Sequence, residues 1–126
     1  MSKALIVDDS STVRSIIAKM LTSFGIDNVQ AGNGQEAYNT LEKTLGVTIA
    51  FVDWNMPVMS GIQLVRMVRA DAKFQTMKIV MVTTETEMQQ VTTALEAGVD
   101  EYIMKPFTKE IFREKLELLG ILDHPC

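Results

Sequence analysis

The chain has 126 residues, a hydrophobic fraction of 47% and a formal net charge of −4. That length suits one domain with a sizeable core, so residues 1–126 are read as a single domain with no output domain attached. Charges of both signs are scattered through both halves, which argues against nucleic acid as the main partner, because binding a phosphate backbone needs a basic face.

The first apolar run, at 4–7, is too short for a signal peptide or a membrane span. The lone cysteine, Cys126, lies at the far end and allows no internal disulfide, so a reducing, cytoplasmic setting is expected. Further short runs rich in Val, Ile and Leu follow, and strands are predicted at 4–7, 28–31, 48–52, 78–82 and 101–104. Their continuous apolar character suits a parallel sheet buried on both faces, with 28–31 the least apolar of them.

Helical patterns fill the intervals. Val13, Ile16, Ile17, Met20 and Leu21 recur at helical spacing, as do Ile62, Val65, Met67 and Val68. At the end of the chain Ile111, Lys115, Leu118 and Leu119 do so together with Leu116. Asn33 with Glu36, Ser60 with Gln63 and Thr84 with Glu87 each have the form of a capping box, and Thr108 can cap the last helix. Gly25, Gly46 and Gly98 fall where helices should stop. The nine methionines read most simply as core filler. The outcome is an α/β chain, (βα)5, a doubly wound five-stranded parallel sheet with helices on both faces.

Four polar features interrupt this pattern, each just past the end of a strand: Asp8 with Asp9, then Asp53, Thr83, and Lys105 followed by Pro106. In open α/β sheets that edge binds ligands where the strand order reverses. The order 2-1-3-4-5, adopted from known sheets of this class, makes the first and third strands neighbours. Asp8, Asp9 and Asp53 then converge. Three adjacent carboxylates repel one another, and a divalent cation resolves the conflict. The hard oxygen ligands, with no His or Cys nearby, select Mg²⁺, with Mn²⁺ able to substitute. A carboxylate nucleophile, a metal, a hydroxyl and a lysine are the parts that phosphoryl transfer requires. Each feature alone has a plainer reading. An Asp pair after a strand is commonly a cap or turn, Thr83 can simply end a strand, and Lys105 can be an exposed charge.

The segments LIVDDSSTVR, AGNGQEA, FVDWNMPVMSG, VMVTTE and AGVDEYIMKPF together resemble the bacterial two-component response-regulator receiver domains over essentially the whole chain, and most of all their single-domain chemotaxis members. The resemblance implies a flavodoxin-like fold with Asp53 as phosphoacceptor and Asp9 as a direct Mg²⁺ ligand. Asp8 would reach the metal through water, and Asn55 would offer its backbone carbonyl. Asn55 and Glu85 match positions that tune phosphate lifetime, and the Lys105–Pro106 bond is cis in this family. Thr83 and Tyr102 would form the switch, Tyr102 moving from exposed to buried. The fourth helix, fifth strand and fifth helix would then present an altered face.

The implied partners are a histidine kinase and either a flagellar motor switch protein or, for an adaptor or phosphate sink, a histidine phosphotransfer protein. A monomer is expected. Where the enteric chemotaxis regulator carries lysines, this chain has Glu87, Met88, Gln89 and Gln90, while Lys115 keeps a basic residue. Trp54 is read as structural, and His124 as a tail residue without a metal role. Enzymes on the same fold fit less well. Asp8-Asp9-Ser10 would repel a flavin phosphate, and a haloacid-dehalogenase-type phosphatase needs a D-x-D pattern after the first strand. The only catalysis expected is on the chain itself.

Overall fold

The structure is a computed structural model, and it describes residues 3–54, 56, 58–84 and 90–122. Five strands form one parallel sheet: β1 (Lys3–Val7), β2 (Asp27–Ala31), β3 (Val47–Asp53), β4 (Lys78–Thr83) and β5 (Glu101–Met104). Their order is β2-β1-β3-β4-β5, as expected. The chain turns to one side of β1 to make β2 and then to the other to make β3. The reversal therefore lies between β1 and β3, where Val7 stands beside Val52. Five helices connect and follow the strands: α1 (Ser11–Ser23), α2 (Gly34–Lys43), α3 (Gly61–Ala70), α4 (Val91–Ala97) and α5 (Lys109–Leu118), with a short 3-10 turn at Ala72–Phe74.

Strand alternation divides the core in two. Leu5, Val7, Ala50, Val52, Ile79 and Met81 face α2, α3 and α4, where Leu41, Leu64, Val65 and Val68 close the layer. Ala4, Ile6, Ile49, Phe51, Val80 and Val82 face α1 and α5, against Ile17, Leu21, Phe112 and Leu116. Phe112 stacks on both Phe51 and Phe107. Burial on both faces explains why the central strands read as unbroken apolar runs. β2 is an edge strand with three of its five residues only partly covered or better and two exposed, which explains its weaker signal.

The helix starts follow their caps. Ser10 caps α1 through Val13 N, Asn33 caps α2 through Glu36 N, and Thr108 caps α5 through Ile111 N. Ser60 and Gln63 make the full reciprocal box at α3. Gly98 ends α4 at φ 110°, and Gly25 and Gly46 also take positive φ just beyond α1 and α2. The proposed box at Thr84 and Glu87 includes a position outside the described residues. α4 itself begins later, with Gln90 at its N-cap and no side-chain cap bond.

Arg69 ties this half together. It donates to the carbonyls of Gly98, Phe74 and Gln75 and to the Asp100 carboxylate, which also accepts Ile79 N–H.

Some expectations need correction. In α5 the buried stripe is Phe112 and Leu116, with Leu119 packed beside them, while Ile111 and Leu118 are exposed. The sequence pattern is degenerate there, because apolar residues occupy two faces and only the aromatic one meets the sheet. In α1, Ile16 is exposed and lines a groove with Val13, Pro106 and Phe107 next to Lys105. Among the described methionines only Met77 and Met81 are fully in the core, and Met104 is exposed. Asp53 and Thr83 are the last residues of β3 and β4 and do not lie past them. The ladder extends that far, pairing Asp53 with Val82 and Thr83 with Met104. Among the described residues no helix is long and apolar enough to cross a membrane.

Candidate metal and phosphoryl-transfer site

The strand ends set the positions. Asp8 follows β1 and its N–H donates to Ala31 O on β2 at 3.2 Å, so the sheet ladder carries one residue past the strand. Its carboxylate then bends back, and Oδ1 accepts the Ser10 N–H at 2.9 Å. This is an Asx turn feeding directly into the Ser10 cap of α1. The plainer reading of Asp8 as a turn residue therefore holds, and the other oxygen of the same carboxylate meets Lys105. Asp53 lies on the neighbouring strand across the reversal.

Asp8, Asp9 and Asp53 each offer a carboxylate oxygen, and these three atoms lie within 4.8 Å of one another. Two oxygens opposite each other on Mg²⁺ would be roughly 4.2 Å apart, so the cluster is near the size of that ion. Asp8 and Asp53 are 2% and 6% exposed, while Asp9 is open to solvent. Two walled-in carboxylates with an exposed third leave room for water to complete a hard-oxygen shell, and the donor set fits a divalent cation.

Lys105 reaches the same place from the end of β5. Its Nζ is 3.2 Å from Asp8 Oδ2 and 3.2 Å from Asp53 Oδ1. The Lys105–Pro106 peptide is cis, as the resemblance implied. Burial raises the Asp53 carboxyl, the Asp8 charge adds to this, and Lys105 opposes both only in part, leaving its pKa at about 6 against the ordinary 3.8. Burial acts against the Lys105 charge, but Asp53 and Asp8 outweigh it and its pKa is raised. A site with this much unresolved negative charge is built to receive positive charge.

Thr83, 1% exposed, stands on β4 beside Asp53's strand, and its carbonyl accepts Lys105 N–H at 2.6 Å. Tyr102, on β5, is partly covered and packs on the α2–α4 side of the core. Lys115 Nζ lies 4.8 Å from its ring centroid and 3.2 Å from Glu101 Oε1. Trp54 is buried, as expected of a structural role, and its carbonyl accepts Gly61 N–H at 3.1 Å. Asn55, Glu85, Glu87, Met88, Gln89, His124 and Cys126 lie outside the described residues.

Three residues of the site's frame were not singled out from the sequence. Ser10 supplies the N–H that fixes Asp8. Gly61 lets α3 start against the Asp53 carbonyl, where a Cβ would be driven well inside van der Waals contact. Arg14 Nη1 donates to Asp8 O at 2.6 Å. Each sits within the quoted motifs, but only the three-dimensional path shows what it touches.

Comparison with known proteins assigns the family. The family model of the response regulator receiver domain matches residues 4–117. A chemotaxis protein CheY homolog of Campylobacter jejuni is 52% identical over 91% of this chain and 89% of its own. Chemotaxis protein CheY1 of Helicobacter pylori is 46% identical over 93% and 95%. The chemotaxis response regulator CheY4 of Vibrio cholerae superposes with a TM-score of 0.88 at 31% identity, over 94% of this chain and 98% of that one. The chain belongs to the response regulator receiver domain family and is of the CheY type, a chemotaxis signalling protein.

Proposed function

We propose that this chain, as one domain over residues 1–126, is a phosphorylation switch that accepts a phosphoryl group on Asp53 from a histidine kinase, with Mg²⁺ held by Asp8, Asp9, Asp53 and the carbonyl of Asn55. The observation that carries the reading is the meeting of three carboxylates and Lys105 at the β1–β3 reversal. Bound there, Mg²⁺ or Mn²⁺ would neutralise charge on the carboxylates and on phosphoryl oxygens.

An Asp53 carboxylate oxygen attacks the phosphorus of a phosphohistidine. The new P–O bond forms as the P–N bond breaks, and the imidazole leaves with a proton. Lys105 Nζ, already 3.2 Å from Asp53 Oδ1, would neutralise the incoming oxygens, and the Thr83 hydroxyl would donate to another. Water later attacks phosphorus, releasing inorganic phosphate and restoring the carboxylate. Asn55 and Glu85 set that rate. Turnover of other substrates is not part of this reading.

Phosphorylation would draw Thr83 toward the site and Tyr102 inward, changing the α4–β5–α5 face. By its kinship with chemotaxis proteins, that face would bind a flagellar motor switch protein in the cytoplasm, with the chain a monomer. The residues Glu87 and Met88, where the enteric regulator has lysines, favour a second reading as an adaptor or phosphate sink that exchanges phosphate with a histidine phosphotransfer protein.

Mass spectrometry after acetyl phosphate and Mg²⁺ tests the site. One phosphoryl adduct is expected, absent in Asp53→Asn, and an adduct of unchanged stoichiometry in that variant refutes the assignment. Affinity for a motor-switch peptide, with and without phosphate, separates the two partner readings.

A further inference from the structure

Asp9 is exposed, so packing does not aim its carboxylate, and its direction is set from the backbone. The peptide group joining Asp8 to Asp9 is a rigid plane. Its carbonyl end is Asp8 O, and Arg14 Nη1 donates to that oxygen at 2.6 Å. Arg14 is on α1, one turn in, with its own N–H bonded to Ser10 O at 3.0 Å. Helical side chains tilt toward the N-terminus, so this one lies back over the loop that precedes its helix. Its Nε donates to Gln30 Oε1 on β2 at 3.2 Å, which fixes the guanidinium from a second side.

We infer that Arg14 is a positioning residue for the acidic cluster: by clamping the Asp8 carbonyl against β2 it holds the plane from which Asp9 projects toward the cation. The inference rests on the Mg²⁺ reading above. Charge alone predicts the opposite sign. A guanidinium bonded to the Asp8 backbone carbonyl adds positive charge near the cluster and opposes a cation, so deleting it should tighten Mg²⁺ binding. Positioning predicts weaker binding, since outer residues that orient metal ligands typically contribute about ten- to a hundredfold in affinity.

The experiment is titration of the full chain with Mg²⁺ alone, followed by calorimetry and Trp54 fluorescence, under conditions where circular dichroism shows each variant folded. Arg14→Met should raise the Mg²⁺ Kd by about tenfold. In an Asp9→Asn background the same change should have less than about a twofold effect, because the ligand it positions is already altered. Gln30→Ala, which keeps the charge and frees one side of the guanidinium, should weaken binding by about two- to threefold.

An unchanged or tighter Kd in Arg14→Met overturns the inference, as does an equal loss with and without Asp9. If Arg14→Met does not fold, Gln30→Ala decides, and wild-type affinity in that variant overturns the inference. Absence of saturable Mg²⁺ binding in the wild type overturns the metal reading itself, and the clamp with it. Normal wild-type binding with an indifferent Arg14→Met overturns the clamp alone.

Discussion

Asp53→Asn should make the metal-free protein more stable at neutral pH. The wild-type carboxyl has a folded-state pKa of about 6 against 3.8 when unfolded. Between these values the folded state binds more protons than the unfolded state, so stability falls as pH rises through that window. At about 1.4 kcal/mol per unit, the penalty fully present at pH 7 is about 3 kcal/mol. Its source is the burial of Asp53 and the adjacent Asp8 charge, which Lys105 offsets only in part. An asparagine of the same shape removes the charge and keeps an acceptor for Lys105. Urea denaturation in EDTA should therefore show the variant's midpoint rising at pH 7 by on the order of 1–2 M. The gain should shrink steeply as pH falls, to a small fraction by pH 4, where the folded carboxyl is protonated, and it should vanish below the unfolded value of 3.8, where both states are protonated. Millimolar Mg²⁺ should also shrink it, because the ion stabilises the wild type preferentially. A midpoint that is unchanged or lower at pH 7, or a gain at pH 4 as large as that at pH 7, would refute the charge-strain reasoning.

Other substitutions bear on the same frame. Lys105→Met removes the cation shared by Asp8 and Asp53. It should destabilise the protein by about 2 kcal/mol at pH 7 and less at pH 4, where Asp53 is neutral, as read by urea midpoints. Gly61→Ala forces a methyl into the Asp53 carbonyl oxygen and close to Met81 Cε. A loss of about 1–3 kcal/mol is expected by thermal melting, and a wild-type melting temperature would show that the α3 start can shift freely. Val58 holds a left-handed backbone, φ 70°, while 82% exposed. Val58→Gly should therefore gain about 0.5–1 kcal/mol, since strain is relieved and no packing is lost, and a lower urea midpoint would contradict this.

Sequence made the centre of the sheet easy to read and its margins hard. Strands β1, β3 and β4 are covered on both faces, so their apolar runs leave little choice of structure. β2 lies at an edge, where DNVQA needs little apolar surface. In α5 the chain offered Ile111 and Leu118 as plausibly as Phe112. Which stripe is buried depends on where Phe51 and Phe107 stand, and that is tertiary information. Asp8, Asp9, Asp53 and Lys105 could be gathered in advance because each ends a strand and the strand order brings those ends together. Arg14 could not, because its partner is a backbone carbonyl six residues earlier, reached only once the direction of the loop is known.

Asp8 carries a consequence for genetics. One carboxylate oxygen starts α1 through Ser10 N–H, while the other meets Lys105. An alanine allele loses both, so its loss of signalling is mixed with a weakened helix start and a lower cellular protein level. An asparagine allele keeps an acceptor for the turn and loses only the charge and the bond from Lys105. In a screen for signalling-dead mutants, immunoblot abundance should therefore separate the two, with Asp8→Ala depleted and Asp8→Asn present but silent.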